Sequence, residues 1–274
     1  MEKVLSKIET LVAANVTNDP ADYVMNGVLM CGKCHTPKQH KGVILGKERT
    51  LPCLCRCEYD RKEKERRERE AENQKFAINR YRSEGFPESE MKNWTFESAE
   101  NSKIIAAAKK YADNFQQLKE AGKGLLLYGG VGTGKTYAAA CIVNDLIDEG
   151  RRCMITNFAR VLNTLWSVEK KQAYIDSFNQ FELLVLDDLG AERRSEYAQE
   201  QVFNVIDARY RAKLPLIITT NLALEDLTAP QNIGNSRIYD RVLEMCHPVK
   251  VEGESRRTKK ALNSFADMNK MLGL

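Results

Sequence analysis

Leu125-Leu-Leu-Tyr-Gly129-Gly-Val-Gly-Thr-Gly134-Lys135-Thr136 is the stretch of sequence that decides the fold. Its first four residues are an apolar run typical of a buried strand, and the apolar positions from Tyr137 to Leu146 are typical of a helix. Between them lies a phosphate-binding loop pattern, whose backbone N–H groups and helix N-terminus attract phosphate. We expect Lys135 to reach the β- and γ-phosphates of ATP and Thr136 to bind Mg²⁺. The predicted nucleotide-binding residues are Gly129, Gly130, Val131, Gly132, Thr133, Gly134, Lys135, Thr136 and Tyr137.

Acidic and amide side chains follow two further apolar runs. Leu183-Leu-Val-Leu186 ends in Asp187-Asp188, an arrangement known as Walker B. We expect Asp187 to hold Mg²⁺, directly or through water, and Asp188 to polarise the attacking water. Asn221 follows Leu216–Thr220, and its amide is expected to orient that water against the γ-phosphate.

Alternating strands and helices predict an α/β fold with a doubly wound parallel sheet. Ligands of such sheets bind at the carboxyl ends of the strands, so the loop, the two acids and Asn221 should converge at one edge. The predicted strands are 125–128, 153–157, 183–186, 216–220 and 247–251, and the predicted helices include 101–118, 158–165 and 199–211.

Five cysteines lie in two tight clusters near the amino terminus, Cys31-Gly-Lys-Cys34 and Cys53-Leu-Cys55-Arg-Cys57. Thiolates at such spacings suit a tetrahedral zinc site, and the metal would supply folding free energy that a small core lacks. The predicted ligands are Cys31, Cys34, Cys55 and Cys57, with Cys53 as the alternative in the second cluster. His35 is a less suitable ligand because it directly follows Cys34.

Composition sets limits on the remaining possibilities. The chain has 274 residues, 43% of them hydrophobic, and a net charge of +4. No apolar run approaches the ~20 residues of a membrane span, and the first residues lack a signal-peptide core, so we expect a cytoplasmic protein without membrane contact. In a reducing compartment the remaining cysteines, Cys141, Cys153 and Cys246, are expected in the core.

Three segments are predicted along the chain. Residues 1–60 comprise a short amphipathic helix at 2–15 and the zinc-binding module, residues 61–92 a charged helical linker, and residues 93–274 the nucleotide-binding core. The linker follows from a run of mixed Glu, Lys and Arg from Glu58 to Arg80, which is typical of an exposed helix with i,i+4 ion pairs.

From Trp94 to Arg257 the motifs together resemble the DnaC/IstB-like AAA+ ATPases. The resemblance rests on Gly-Gly-Val-Gly-Thr-Gly-Lys-Thr, Leu-Leu-Val-Leu-Asp-Asp-Leu-Gly, Ile-Ile-Thr-Thr-Asn and Ser-Arg-Ile-Tyr-Asp-Arg. It implies a five-stranded AAA+ P-loop core without a helical lid, and weak ATP hydrolysis that DNA or a partner stimulates. By position it implies that Asn221 is sensor 1, that Arg237 or Arg241 is an arginine finger, and that Arg257 is in the sensor 2 segment. Glu192 is the alternative to Asp188 as catalytic base.

The resemblance also implies partners. The leading hypothesis is a loader of the hexameric, DnaB-type replicative helicase onto single-stranded DNA, which assembles into an ATP-dependent spiral or ring and releases the helicase on hydrolysis. Candidate DNA contacts are Phe158, Arg160, Lys170 and Lys171. The rivals are an IstB-like transposition accessory ATPase that acts on DNA and a transposase, and an ATP-switched adaptor that needs no hydrolysis.

Overall fold

The computed structural model describes residues 19–44, 46–86, 88–191, 195–230 and 233–272. The helix predicted at 2–15 and the alternative base Glu192 lie outside these residues. The chain divides into two compact units, Met1–Lys75 and Phe76–Leu274, and each is described by itself. The segment boundaries drawn from the sequence at 60/61 and 92/93 stay a prediction.

The first unit contains two antiparallel hairpins that the sequence analysis did not predict. Strands β1 (Tyr23–Met25) and β2 (Val28–Met30) are joined by Asn26-Gly27, and β3 (Gln39–Ile44) pairs with β4 (Lys47–Pro52). Asn26 and Gly27 have φ of 51° and 69°, the left-handed pair that a two-residue hairpin turn requires. An Asn-Gly pair between apolar residues was therefore a usable signal.

Helix α1 (Arg56–Gly85) begins in the first unit and ends in the second. Its exposed ion pairs include Arg61–Glu65 and Arg67–Glu63, both at i,i+4 spacing, which confirms the predicted charged helix. No helix within the described ranges combines the length and apolarity that crossing a bilayer requires.

The second unit is built on a five-stranded parallel sheet in the order β6-β7-β8-β5-β9, which confirms the predicted fold class. Its strands are β5 (Gly124–Tyr128), β6 (Cys153–Asn157), β7 (Leu183–Leu189), β8 (Leu216–Thr220) and β9 (Cys246–Lys250). Its helices are α2 (Lys103–Asp113), α3 (Phe115–Glu120), α4 (Lys135–Asp148), α5 (Phe158–Ser167), α6 (Lys171–Ser177), α7 (Glu196–Arg211), α8 (Leu224–Thr228), α9 (Ile233–Met245) and α10 (Arg256–Leu272). Short 3₁₀ turns lie at Ser89–Asn93 and Phe178–Gln180.

Apolar side chains cover both faces of this sheet. Along β5, Leu125 and Leu127 pack into one core cluster and Leu126 into another, as alternation along a strand requires. The three cysteines outside the amino-terminal clusters, Cys141, Cys153 and Cys246, are buried as predicted.

Several element boundaries differ from the prediction. The helix expected over 101–118 is broken at Asn114, whose side-chain amide donates to the carbonyl of Lys110 at 2.8 Å and so competes with helical hydrogen bonding. Helix α7 begins at Glu196 rather than 199, because the Ser195 hydroxyl accepts from the Ala198 N–H at 3.1 Å and caps it. Strand β7 does not end at the two acids but continues to Leu189.

Candidate functional site

The phosphate-binding loop joins the carboxyl end of β5 to the amino end of α4, and close packing restricts two of its positions to glycine. A Cβ on Gly132 would lie 2.2 Å from the Ser255 hydroxyl oxygen, and one on Gly129 would lie 2.3 Å from the Val251 carbonyl oxygen. Gly132 also has φ of 79° and Gly129 of 141°, where L side chains are strained. The loop is thus held against the segment that follows β9.

Lys135 lies at the centre of this loop. Its Nζ donates to the carbonyl oxygens of Gly129 at 2.9 Å and Gly130 at 2.7 Å, and to Oδ1 of Asn221 at 2.8 Å. Burial lowers the pKa of the ammonium, while Asp188 and Asp187 raise it. The cation is therefore held at the point where loop, β8 and the acids meet.

Asp187 connects β7 to the loop. Its Oδ1 accepts from the Thr136 hydroxyl at 2.9 Å and from the Thr219 hydroxyl at 2.6 Å. Burial raises the pKa of the carboxyl, and the two hydroxyl donors partly offset that rise. Thr136 and Asp187 together offer the hydroxyl and carboxylate oxygens that Mg²⁺ prefers.

Asp188 has φ of 59°, in the left-handed region, which is uncommon for a residue other than glycine. Its backbone N–H donates to the Thr219 hydroxyl oxygen at 3.0 Å. Its side chain lines the same cavity as Lys135 and Asn221. The structure thus brings together Lys135, Thr136, both acids and Asn221 at one sheet edge, where the sequence placed them.

A cavity of about 500 Å³ opens at this edge. It is lined by Glu90, Trp94, Ser98, Glu100, Val131, Gly132, Gly134, Lys135, Thr136, Tyr137, Asp188, Asn221, Arg256 and Arg257. Trp94 and Tyr137 stack with their ring centroids 5.3 Å apart, and the Ser98 and Tyr137 hydroxyls are 3.0 Å apart. The buried Asn144 amide donates to the Trp94 carbonyl at 3.0 Å and fixes this wall. Sequence reasoning assigned neither Trp94 nor Ser98 to the site.

Two adjacent arginines line the cavity where α10 begins. Arg257 was predicted from the sensor 2 resemblance, and Arg256 was not. The Arg256 N–H donates to the Gly132 carbonyl at 3.0 Å, and its guanidinium lies 4.0 Å from the Glu100 carboxylate. Both arginines are therefore near the loop, so sequence spacing alone could not decide which of them contacts the nucleotide.

Arg237 and Arg241, the two candidate fingers, differ in their surroundings. Arg241 Nε donates to Oδ1 of Asp207 at 2.8 Å, and its guanidinium lies 4.5 Å from the Phe203 ring centroid. Arg237 is exposed, and its guanidinium has no hydrogen bond or ion pair with any residue that the structure describes. Neither lines the cavity of its own chain. Arg241 is held within the fold, whereas Arg237 is available to another molecule.

In the first unit, the sulfur atoms of Cys31, Cys34, Cys55 and Cys57 all lie within 4.8 Å of one another. The Cys31–Cys57 and Cys55–Cys57 Sγ distances are 3.6 Å and 3.4 Å. Four sulfurs at a tetrahedral Zn–S distance of about 2.3 Å would be about 3.8 Å apart, so the cluster fits a zinc ion. Cys53 lies apart from it, with its thiol 3.6 Å from the Pro37 carbonyl.

Neighbouring groups perturb these thiols and orient their turn. The Thr36 hydroxyl lowers the pKa of Cys34 to about 5, and contact with the Cys55 thiol, then with those of Cys34 and Cys31, raises the pKa of Cys57. The Gly32 N–H, in the turn between the first two cysteines, donates to Asp22 at 3.0 Å. Asp22 is itself paired with the buried Lys38 at 2.7 Å. Sequence reasoning missed this support because it joins positions far apart in the chain.

The residues predicted to contact DNA divide into two groups. Phe158, the first residue of α5, is wrong as a contact, because it is only 1% exposed and packs in a core cluster of the second unit. Arg160, Lys170 and Lys171 are exposed. Near them Trp166 is 77% exposed and meets Tyr197 edge-on with ring centroids 5.3 Å apart. Lys171 Nζ lies 3.1 Å from the Tyr197 hydroxyl.

Comparison with known families identifies the core. The model of the family described as "IstB-like ATP binding protein" matches residues 60–264. The chain belongs to this family. The resemblance to DnaC/IstB-like AAA+ ATPases is thereby confirmed, as is the assignment of ATP binding to the P-loop core.

Individual relatives of the chain bear names from DNA replication. It is 28% identical over 149 residues to the replicative helicase loader DnaI of Bacillus subtilis (strain 168), covering 50% of this chain and 48% of that protein. It is 24% identical over 155 residues to the replicative helicase loader DnaC of Escherichia coli (strain K12), covering 55% and 61% respectively. A crystal structure of DnaI matches with a TM-score of 0.54 and 27% identity, over 65% of this chain and 99% of that one. The chain thus spans about half of DnaI and three-fifths of DnaC.

Proposed function

We propose that this protein loads a hexameric, DnaB-type replicative helicase onto single-stranded DNA, and that ATP hydrolysis drives its release from the helicase. One observation carries the proposal: the core that holds Lys135, Asp187 and Asn221 at one sheet edge is similar to two proteins named replicative helicase loaders. These relatives support a loader-like role, and the coupling of hydrolysis to release goes beyond them.

The cavity residues have defined roles in the proposed ATPase. Lys135 would bind the β- and γ-phosphates, and Thr136 and Asp187 would hold Mg²⁺, which would supply positive charge for the transferring phosphoryl group. Asp188 polarises the attacking water and Asn221 orients it. Residues of the glycine loop, Tyr137 and the two arginines Arg256 and Arg257 line the cavity that would hold the nucleotide.

The exposed position of Arg237 supports self-association. Arg237 is exposed and lies outside the cavity of its own chain, so it can complete only another subunit's site. A guanidinium supplied in trans stabilises the transition-state charge of phosphoryl transfer. We therefore assign the finger to Arg237 rather than Arg241, within an ATP-dependent spiral or ring.

Single-stranded DNA is the proposed track. An exposed tryptophan offers a face on which a base can stack, and neighbouring cations bind the backbone. Trp166 and Lys171 both contact Tyr197, and Arg160 lies on the same helix α5 as Trp166, so this part of the chain offers both. This surface replaces the buried Phe158 in the proposed DNA contact.

The cysteine cluster is the proposed partner-docking module. Cys31, Cys34, Cys55 and Cys57 would hold one zinc ion, which ties both cysteine clusters of the first unit together. The module lies outside the residues that match the family. Because relatives share the core, a segment outside it is the better place for contacts that are specific to one partner.

An Asp188→Asn variant tests the coupling. It should bind ATP and helicase but fail to release the helicase, because water is no longer polarised. Co-sedimentation of helicase, single-stranded DNA and protein with ATP measures this retention. Release at the wild-type rate would favour the ATP-switched adaptor.

The family description favours a second candidate, a transposition accessory ATPase, which would bind a transposase instead of the helicase.

A further inference from the structure

Strands β7 and β8 pair irregularly at the two acids. The register shifts between Leu186 and Leu189, so that Asp187 and Asp188 lie opposite the single residue Thr219. Two residues opposite one form a β-bulge, which bends a strand and re-aims its side chains beside active sites. In a regular strand these successive acids would point to opposite faces. Here one acid reaches Thr136 and the other lines the cavity.

The Thr219 side chain occupies the position where the ladder is interrupted. The Asp188 N–H can only donate, so the Thr219 hydroxyl oxygen accepts from it at 3.0 Å. The single hydroxyl proton is then directed to Asp187 Oδ1, at 2.6 Å. Thr219 is fully buried, so water does not compete for either bond.

We propose that Thr219 is a positioning residue that fixes both acids of the magnesium and water site through one hydroxyl group. Its donated bond sets the rotation of the Asp187 carboxylate toward Thr136, and its accepted bond holds Asp188 in the left-handed conformation. Thr219 belongs to the Ile-Ile-Thr-Thr-Asn motif, but the sequence analysis assigned it no role. The inference rests on the proposed ATPase activity and adds a residue that acts through the acids rather than on the nucleotide.

Thr220 provides a matched control. It is fully buried on the same strand, donates to the Leu189 carbonyl at 2.7 Å and accepts from the Leu222 N–H at 3.1 Å. Thr219→Val and Thr220→Val therefore each remove one donated and one accepted bond of a buried hydroxyl. Only Thr219→Val removes bonds to the acids, so the two variants should lose similar thermal stability and differ at the metal site.

The experiment titrates MgCl₂ against ATP hydrolysis by the full-length protein and its variants. Loss of a residue that orients a metal ligand typically costs 10–100-fold in metal affinity or activity, so we expect Thr219→Val to lower kcat or raise the half-saturating Mg²⁺ concentration by about that factor. The KM for ATP should change less than about twofold, because the phosphate loop is untouched. Thr219→Ser, which keeps the hydroxyl, should restore most of the activity.

Binding of a non-hydrolysable ATP analogue, with and without Mg²⁺, separates this inference from the ATPase proposal. A wild-type protein that hydrolyses nothing would refute the ATPase, yet the Mg²⁺-dependent gain in analogue affinity would still decide the role of Thr219. Wild-type Mg²⁺ dependence in Thr219→Val, an equal loss in Thr220→Val, or no Mg²⁺ effect on wild type would each overturn the inference. If Thr219→Val does not fold, Thr219→Cys, a weaker donor, should show the same shift in smaller degree.

Discussion

Arg237 and Arg241 lie one turn apart on α9, and truncating each to alanine should produce two different defects. Removing one partner of a fully buried ion pair costs about 3–5 kcal/mol. Arg241 is 25% exposed, and Asp207 keeps a second partner, Arg211, at 2.7 Å, so the cost should be smaller. We expect Arg241→Ala to lower the free energy of unfolding by about 2 kcal/mol. At about 2–4 °C per kcal/mol, its melting temperature should fall by about 4–8 °C.

Arg237→Ala should leave stability almost unchanged and remove hydrolysis. An exposed side chain without partners typically contributes within about 0.5 kcal/mol of zero, which is less than about 2 °C. An arginine finger supplies about 10³-fold or more in kcat, so phosphate release under assembling conditions should fall to near background. Differential scanning calorimetry and a phosphate-release assay measure the two effects on the same samples.

A mixing experiment tests whether Arg237 acts on a neighbouring subunit. Asp188→Asn lacks the proposed base but keeps Arg237, and Arg237→Ala has the reverse defect. In an equal, random mixture of the two variants, about a quarter of the subunit contacts join an intact base on one subunit to an intact finger on its neighbour. About a quarter of the wild-type rate should therefore return. No recovery, or loss of hydrolysis in Arg241→Ala at unchanged stability, would refute the assignment.

Two further predictions concern the other proposed sites. Cys57→Ser should abolish stoichiometric zinc binding and unfold the first unit, whereas Cys53→Ser should retain the metal, because the Cys53 thiol lies outside the cluster. Zinc content by mass spectrometry and circular dichroism distinguish them, and equal metal loss in both would contradict the ligand set. Trp166→Ala should weaken binding to single-stranded DNA by about 1–3 kcal/mol, because one stacking platform is lost. Fluorescence anisotropy measures this affinity. The control is Trp94→Ala, which changes a tryptophan of the nucleotide cavity. Equal DNA affinities of the wild-type protein, Trp166→Ala and Trp94→Ala would exclude Trp166 from the interface.

Local patterns were sufficient to predict the parallel sheet and the edge where the site lies. An apolar run followed by glycines, or by Asp187-Asp188, specifies a strand end and its chemistry within a few residues. The pairs of cysteines were equally local, and the structure brings four of the five together.

Features that depend on a partner element could not be predicted in this way. The bulge at the two acids is a property of the pairing between β7 and β8, where Thr219 lies opposite both acids, and the ion pair of Arg241 depends on Asp207 of α7. The burial of Phe158 depends on which face of α5 packs on the sheet. The sequence position of Phe158, as the first residue of that helix, does not determine the face. The Asn26-Gly27 turn differs, because its signal was local and was overlooked.

The most direct measurement is native mass spectrometry of the full-length protein mixed with the replicative helicase of its source organism and single-stranded DNA. With ATP and the Asp188→Asn variant, we predict a stable complex that contains both proteins. With the wild-type protein and ATP, the complex should form and then lose the loader as phosphate is released. Absence of any complex with the helicase under both conditions would contradict the loader function and direct the search to a transposase.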